Sequence, residues 1–189
     1  PAGLKSQNFS WTISTKPTIA STQTSIETKM SAVAFTVTGL PIYGPLEGPT
    51  PTAEAYGDPV YNKLLDTCGG HTGYNADYHN HQVLAIAACS LEETIIGYAL
   101  DGFPIYSNPS YTLKSGYEKT GNPKSYSFNA YTYTGATGTL DECNGQKQSD
   151  GSYRYYITES FPYVIGCYTG TAKKQTGVAA QAINMDHHK

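Results

Sequence analysis

The sequence is poor in charged residues, and it has neither a basic excess nor a long apolar run. Charged residues make up 14% of the 189 residues, and 12 Lys and Arg are set against 15 Asp and Glu, for a net charge of −3. This balance argues against a nucleic-acid-binding protein, which needs a basic patch or stripe. No apolar run approaches the roughly 18 residues of a transmembrane helix, so we expect no membrane span.

Several catalytic signatures are also missing. The sequence contains no G-x-S-x-G nucleophile elbow, no H-E-x-x-H zinc motif and no P-loop. Its four cysteines fit disulfides better than a thiolate nucleophile. We therefore expect a non-enzymatic protein and assign no catalytic residue.

Hydroxyl side chains take the place of the missing charge, with 23 Thr, 15 Ser and 17 Tyr. Tyrosine is favoured at interfaces because its ring packs while its hydroxyl bonds, and a surface low in charge promotes self-association. The composition predicts a protein that assembles with itself into a homo-oligomer, filament or extracellular scaffold. Such a surface would also hydrogen-bond to polysaccharide or to a hydrated mineral such as silica. The alternative is an ordinary secreted β domain that uses Thr and Tyr for strand propensity.

Cysteine usage indicates an oxidising compartment. An even number of cysteines is typical of disulfides, and these are Cys68, Cys89, Cys143 and Cys167. The chain begins at Pro1, as a processed secreted protein would, so we expect an extracellular location. In that setting the sequon Asn8-Phe9-Ser10 makes Asn8 a candidate glycosylation site.

The local patterns predict a mainly β protein with long ordered loops. Predicted strands or strand pairs lie in 8–15, 31–40, 93–107, 126–140 and 152–170. We expect 126–140 to be a strand with a Gly-rich exit and 152–170 to be a closing hairpin. Residues 41–60 hold five prolines and three glycines, which predicts a loop.

The domain organisation follows from these patterns. We expect N-terminal strands and the Pro/Gly-rich loop in 1–61, a repeated region in 62–170 and a polar tail in 171–189, together forming one compact domain.

The repeated region contains two related segments, 64–89 and 139–167. Leu-Asp-x-Cys-x-Gly occurs at 65–70 and again at 140–145, and the offset of 75 residues also aligns Tyr78 with Tyr153. This predicts two related half-domains stapled by disulfides. The local pairing of Cys68 with Cys89 and Cys143 with Cys167 is our first choice, although a pairing that joins the two halves stays open.

The motifs DTCGGH, YHNH, IGYALDGFPIY, LDECNG and FPYVIGCYTG, within residues 62–170, resemble those of the YHYH-domain family, which is named after its Tyr-His-Tyr-His tetrapeptide. The resemblance implies a secreted or cell-surface protein that binds metal through histidines in both halves. The chain departs from this pattern: the third tetrapeptide position is Asn80, and the expected histidines of the second half are Gln146, Arg154 and Tyr156.

The remaining histidines of this region are His71, His79 and His81. Residues two apart on a strand point to the same face, so His79 and His81 can share one ion, and His71 can supply a third nitrogen. Three imidazoles suit Zn²⁺ or Cu²⁺. The competing interpretation is that they are remnants hydrogen-bonded to their surroundings, and Arg154 would repel a cation if it lay nearby.

Other polar candidates have simpler explanations. Asp66 and Asp141 occupy matched positions two residues before a cysteine, which suggests turn acceptors for backbone N–H groups more than a catalytic pair. Asp101 in Ala-Leu-Asp-Gly is typical of a turn. His187 and His188 lie in the polar tail and are weak metal ligands at best.

Three functions therefore compete. The first is a secreted structural protein that self-assembles and requires no cofactor, with a silica matrix or filament as its specific form. The second is a copper- or zinc-binding protein that uses His71, His79 and His81. The third, a hydrolase or oxidase that uses that metal, has the weakest support.

Overall fold

The computed structural model describes residues 3–48, 56–73, 76–84, 89, 94–136 and 138–176, and it is mainly β. The strands are β1 (Thr24–Ser25), β2 (Ala32–Thr36), β3 (Pro41–Tyr43), β4 (Gly70–Thr72), β5 (Tyr78–Asn80), β6 (Ile95–Ala99), β7 (Pro104–Tyr106), β8 (Tyr117–Lys119), β9 (Tyr131–Tyr133), β10 (Gly145–Lys147), β11 (Tyr153–Tyr156) and β12 (Cys167–Tyr168). The helical elements include a single α-helical turn, α1 (Ser127–Ala130), and a 3₁₀ turn (Pro109–Tyr111). None of these is long and apolar enough to cross a bilayer. The prediction of a mainly β fold is confirmed.

Eight strands form one central sheet in the order β10-β11-β7-β6-β2-β3-β5-β4. The order is symmetric about its centre, where β6 pairs with β2 in antiparallel fashion. On each side of this pair, a hairpin partner comes next (β7 or β3), then a parallel neighbour (β11 or β5), and finally an outer antiparallel edge strand (β10 or β4). Two short pairs, β1 with β12 and β8 with β9, lie outside this sheet.

The inner strands show that the duplication extends upstream of the segments identified from sequence. Strands β3 and β7 both read Pro-Ile-Tyr, with Ile42 and Ile105 opposite Ala34 and Gly97 of their partner strands. Each hairpin also has its register irregularity at the same place. Because Phe35 lies opposite its own counterpart Tyr98 at the centre of the sheet, a pseudo-twofold axis relates the two halves.

The outer hairpins repeat the same geometry at the two ends of the sheet. His71 lies opposite His79 in the β4–β5 pair, and Gln146 lies opposite Arg154 in the β10–β11 pair. Both pairs are aligned by the offset of 75 residues found in the sequence. The two related half-domains are thus joined into one continuous sheet.

Each half has its own disulfide, and a common core joins the two halves. One disulfide joins Cys68 to Cys89 and the other joins Cys143 to Cys167, so both are local to their own half. Cys143 and Cys167 lie within the main hydrophobic cluster, which also includes Ile42, Ile96 and Ile105. Burial of these apolar side chains is the main source of stability.

Four sequence predictions need correction. Residues 8–15 form no strand, and 126–140 begins with α1 before β9. Within the predicted loop 41–60, residues 41–43 form β3, because Pro41 takes the first position of the strand, where a missing N–H is tolerated. Residues 49–55 of that loop lie outside the described residues. The range 152–170 is no hairpin, since β11 pairs with β10 and β7 while β12 pairs with β1.

Candidate metal centre

The β4–β5 hairpin brings the three predicted histidines together. His71 and His79 are directly opposite each other in this antiparallel pair, so their side chains lie on one face. His81 follows two residues after His79 and returns to the same face. The prediction that the three histidines converge is met by the geometry, since their ring centroids lie 4.7–5.2 Å apart.

Glu47 completes the cluster, and the sequence analysis missed it. It follows β3, and its backbone forms a β-bridge with Gly57. The N–H of Glu47 donates to the carbonyl of Gly57, and the carbonyl of Glu47 accepts from the N–H of Tyr56. One carboxylate oxygen, Oε1, accepts a hydrogen bond from the N–H of Gly48. The other oxygen, Oε2, is left to face the histidines. The sequence signal was weak, because Glu47 lies in the Pro/Gly-rich segment where no periodicity marks an inward-facing side chain.

Four donor atoms converge on one point. Glu47 Oε2 lies 2.8 Å from His71 Nε2, 3.1 Å from His81 Nε2 and 4.0 Å from His79 Nε2. The Nε2 atoms of His71 and His79 are 3.0 Å apart. All four donors lie within 4.8 Å of one another. Ring nitrogens that face each other at this distance repel unless a proton or a cation lies between them.

The protein fixes the outer nitrogen of His81 and the ring plane of His79. His81 Nδ1 lies 2.7 Å from the carbonyl oxygen of Gly44, so this nitrogen carries the proton and Nε2 keeps its lone pair for the cluster. His79 Nδ1 lies 3.5 Å from a carboxylate oxygen of Asp77, an ion-pair distance without an aligned hydrogen bond. The ring of Tyr43 stacks on His79 at 4.0 Å and fixes its plane.

The cluster is buried on one side and open on the other. The side chains of His79 and His81 are 3% and 0% exposed, whereas those of His71 and Glu47 are 22% and 18% exposed. The open side therefore lies at the sheet edge formed by β4. His71 and Glu47 thus connect the cluster to solvent.

Electrostatics keep the acidic member of the cluster ionised. Burial alone would raise the pKa of Glu47, but the neighbouring imidazoles of His71, His79 and His81 outweigh it and hold its pKa far below the usual range. Burial also lowers the pKa of His81. For His79, burial opposes the charged form, yet Asp77 and Glu47 outweigh it and raise the pKa.

The second half has the same scaffold with different side chains. Gln146 and Arg154 replace the paired histidines at the far end of the sheet, so Arg154 does not lie beside the histidine cluster. Its guanidinium lies 4.6 Å over the ring of Tyr106, the counterpart of Tyr43. Tyr156 takes the place of His81 and packs near Tyr106, with ring centroids 6.0 Å apart.

The matched aspartates are turn acceptors, and the idea of a catalytic pair is wrong. Asp66 accepts hydrogen bonds from the N–H groups of Cys68 and Gly70 and from the hydroxyl of Tyr78. Asp141 makes the corresponding bonds in the other half. The two aspartates belong to hairpins at opposite ends of the sheet, where they cannot act on one substrate atom.

The other candidates fall outside the cluster. Asp101 lies in the β6–β7 turn, as predicted, and it also accepts hydrogen bonds from the Tyr155 hydroxyl and the Gly170 N–H in the core. Asn8 is exposed, and its glycosylation stays a prediction. His187 and His188 lie outside the described residues.

Comparison with known proteins supports one assignment. No curated protein and no solved structure matches the chain. The family model described as YHYH protein matches residues 10–170, which include both halves of the sheet and all four members of the cluster. The chain therefore belongs to the YHYH protein family.

Proposed function

We propose that this protein binds one divalent transition-metal ion, Zn²⁺ or Cu²⁺, through His71, His79, His81 and Glu47. The observation that carries the proposal is the convergence of three Nε2 atoms and one carboxylate oxygen within 4.8 Å. The remnant interpretation, in which the histidines only bond to their surroundings, accounts less well for three imidazole nitrogens directed at one another.

The spacing of the donors suits such an ion. With metal–ligand bonds of about 2.0–2.1 Å, a tetrahedral shell places its donors about 3.3–3.4 Å apart. The donor contacts of 2.8, 3.0, 3.1 and 4.0 Å fall on both sides of that value. The full set of donors spans up to 4.8 Å, so changes of about 0.5–1.5 Å in these separations bring all of them to the tetrahedral value.

The donor types select the ion. Imidazoles favour Zn²⁺ and Cu²⁺ over Mg²⁺ and Ca²⁺, which prefer oxygen ligands. Cys68 and Cys89 form a disulfide and supply no thiolate. Four protein donors fill a tetrahedral shell, as in structural zinc sites, whereas catalytic zinc sites keep an open position. We therefore propose binding of the metal, and no reaction at it.

The first prediction concerns affinity. We expect titration of the metal-free protein with Zn²⁺ or Cu²⁺ to give one ion per chain. His71→Ala should weaken binding by at least about 100-fold, since loss of an outer partner alone costs about 10–100-fold. Isothermal titration calorimetry with elemental analysis measures both quantities.

Gln146→Ala is the matched control, because Gln146 occupies the position of His71 in the other half. It should bind metal as tightly as the wild type. Equal affinity in His71→Ala and Gln146→Ala would contradict the proposal.

The second prediction concerns pH. Protons and the metal compete for the same ring nitrogens. Because Asp77 and Glu47 raise the pKa of His79, its ring keeps its proton above the ordinary value of about 6.5. The low pKa of Glu47 keeps that ligand ionised throughout.

Metal affinity should therefore rise between about pH 5 and 8, the window in which histidine changes charge, and binding should release protons. Calorimetry in two buffers of different ionisation enthalpy measures that release. An affinity that is constant across this range would exclude the imidazoles as ligands.

Self-assembly into an extracellular scaffold, with silica or polysaccharide as a partner, stays a prediction from the composition. No contact among the described residues bears on it, and metal binding is compatible with it.

A further inference from the structure

We propose that the second half of the duplicated sheet forms an anion-binding site, centred on Arg154 and suited to a sugar ring that carries a carboxylate or a sulfate. A cavity of about 520 Å³ opens beside this residue. It lies between β7, β11, the turn that joins β10 to β11, and residues 17–19. This volume falls within the range of about 300–1,000 Å³ that holds small-molecule ligands.

The lining of the cavity includes basic residues. Lys147 and Arg154 are among its lining residues, and none of the described residues that line it is acidic. In the part of the chain that the structure describes, every ion pair within 4.0 Å belongs to the histidine cluster. Asp150, on the nearby turn, instead accepts hydrogen bonds from Ser152 and acts on Arg154 only at longer range. Among the described residues, Arg154 therefore has no carboxylate within ion-pair distance, and it can pair with the carboxylate of a ligand.

The guanidinium packs over an aromatic ring. Arg154 lies 4.6 Å over the ring of Tyr106, just as His79 stacks at 4.0 Å on Tyr43 in the first half. The aromatic support is thus kept, while a permanent cation replaces an imidazole. A guanidinium can bind the oxygens of a carboxylate or a sulfate in a bidentate fashion, and packing on a ring limits the freedom that it loses on binding.

The two halves therefore present opposite chemistry on one scaffold. The first combines imidazole nitrogens with the carboxylate of Glu47 and suits a cation. The second combines Arg154 and Lys147 with no carboxylate in the cavity lining and suits an anion. This second site does not depend on the metal proposed for the first.

The walls of the cavity indicate the shape of the ligand. Pro17 and Ile19 contribute apolar surface next to the aromatic Tyr106, whereas Phe103, which is 5% exposed, contributes little. Apolar and aromatic surfaces pack against the C–H faces of a ring, while a few polar groups fix its orientation. An acidic sugar combines such a ring with the anionic group that Arg154 recognises.

The test uses glucuronate and galactose 6-sulfate as probes, with glucose as the neutral control, on protein from which metal and chelator have both been removed by dialysis. Titrations followed by two-dimensional NMR should show weak binding of either anion or both, with shifts centred on β7 and β11, and no binding of glucose. Arg154→Gln should weaken binding by about tenfold or more, because it removes a charge-assisted pair.

Lys119→Gln is the matched control, since Lys119 also lies over a tyrosine ring, Tyr61, but outside the cavity. It should bind like the wild type. Should Arg154→Gln fail to fold, Arg154→Lys keeps the charge but loses the bidentate geometry, and it should show a smaller loss. Absence of binding by both anions, equal binding of glucose, or unchanged affinity in the Arg154 variants would overturn the proposal.

Discussion

Zn²⁺ at about one hundred times its Kd should raise the free energy of unfolding of this protein by about 2.7 kcal/mol, if the ion binds the folded state alone. The reason is that Glu47 reaches the hairpin that carries His71 and His79 from a separate segment after β3, so the cluster exists only in the folded chain. Urea unfolding with and without the ion measures this effect.

Glu47→Gln sharpens this test, since it removes the anionic donor and keeps the size of the side chain. If the substitution weakens binding about 100-fold, the same concentration of ion should stabilise the variant by only about 0.4 kcal/mol. Glu27→Gln changes an exposed carboxylate outside the cluster and should keep the full effect. An equal rise in the Glu47 and Glu27 variants would show that the ion acts elsewhere.

Loss of the two disulfides should have unequal consequences. Their loops are similar, with separations of 24 residues for Cys143–Cys167 and 21 for Cys68–Cys89, so the entropy of loop closure gives each about 3 kcal/mol. Cys143 and Cys167 also fill space in the main core, where they are 0% and 7% exposed. Their removal therefore adds a cavity cost that the partly exposed Cys68 does not incur.

We expect the double variant Cys143→Ala/Cys167→Ala to lose about 4–5 kcal/mol and Cys68→Ala/Cys89→Ala about 2–3 kcal/mol. Urea unfolding at one pH, without metal, compares them. Equal losses would mean that burial of the second disulfide adds nothing to the entropic effect.

The histidine positions could be predicted from the sequence because they depend on local geometry. Alternation on a strand places His79 and His81 on one face, and the repeated Leu-Asp-x-Cys-x-Gly motif marks the start of each outer hairpin. The matched positions of Asp66 and Asp141, two residues before a cysteine, predicted that they are turn acceptors. Their hydrogen bonds confirm this prediction.

Glu47 could not be found in this way, since its position depends on a bridge with Gly57 and on the parallel pairing of β3 with β5. Neither contact leaves a local periodicity. The same limit explains the error at 152–170, where the strands were expected to pair with each other. Strand β11 instead pairs with β7 and β12 with β1, across long sequence separations.

The upstream part of the duplication is also visible in the sequence, as a repeated triplet. Pro-Ile-Tyr occurs at 41–43 and at 104–106, and the structure makes these triplets the equivalent strands β3 and β7. With that repeat, the chain reads as one sheet built from two copies. The two copies differ in the side chains of the outer hairpins, where one has histidines and the other has Gln146 and Arg154. Both copies keep the turn aspartate and the tyrosine that packs on the central side chain, Tyr43 or Tyr106.

The most direct test of the metal site is anomalous X-ray diffraction from crystals loaded with Zn²⁺, recorded on both sides of the zinc absorption edge. We predict one strong anomalous peak between the Nε2 atoms of His71, His79 and His81 and Oε2 of Glu47, at about 2.0–2.1 Å from each donor. No peak at this position in fully loaded crystals, or a peak only at other histidines of the chain, would contradict the account.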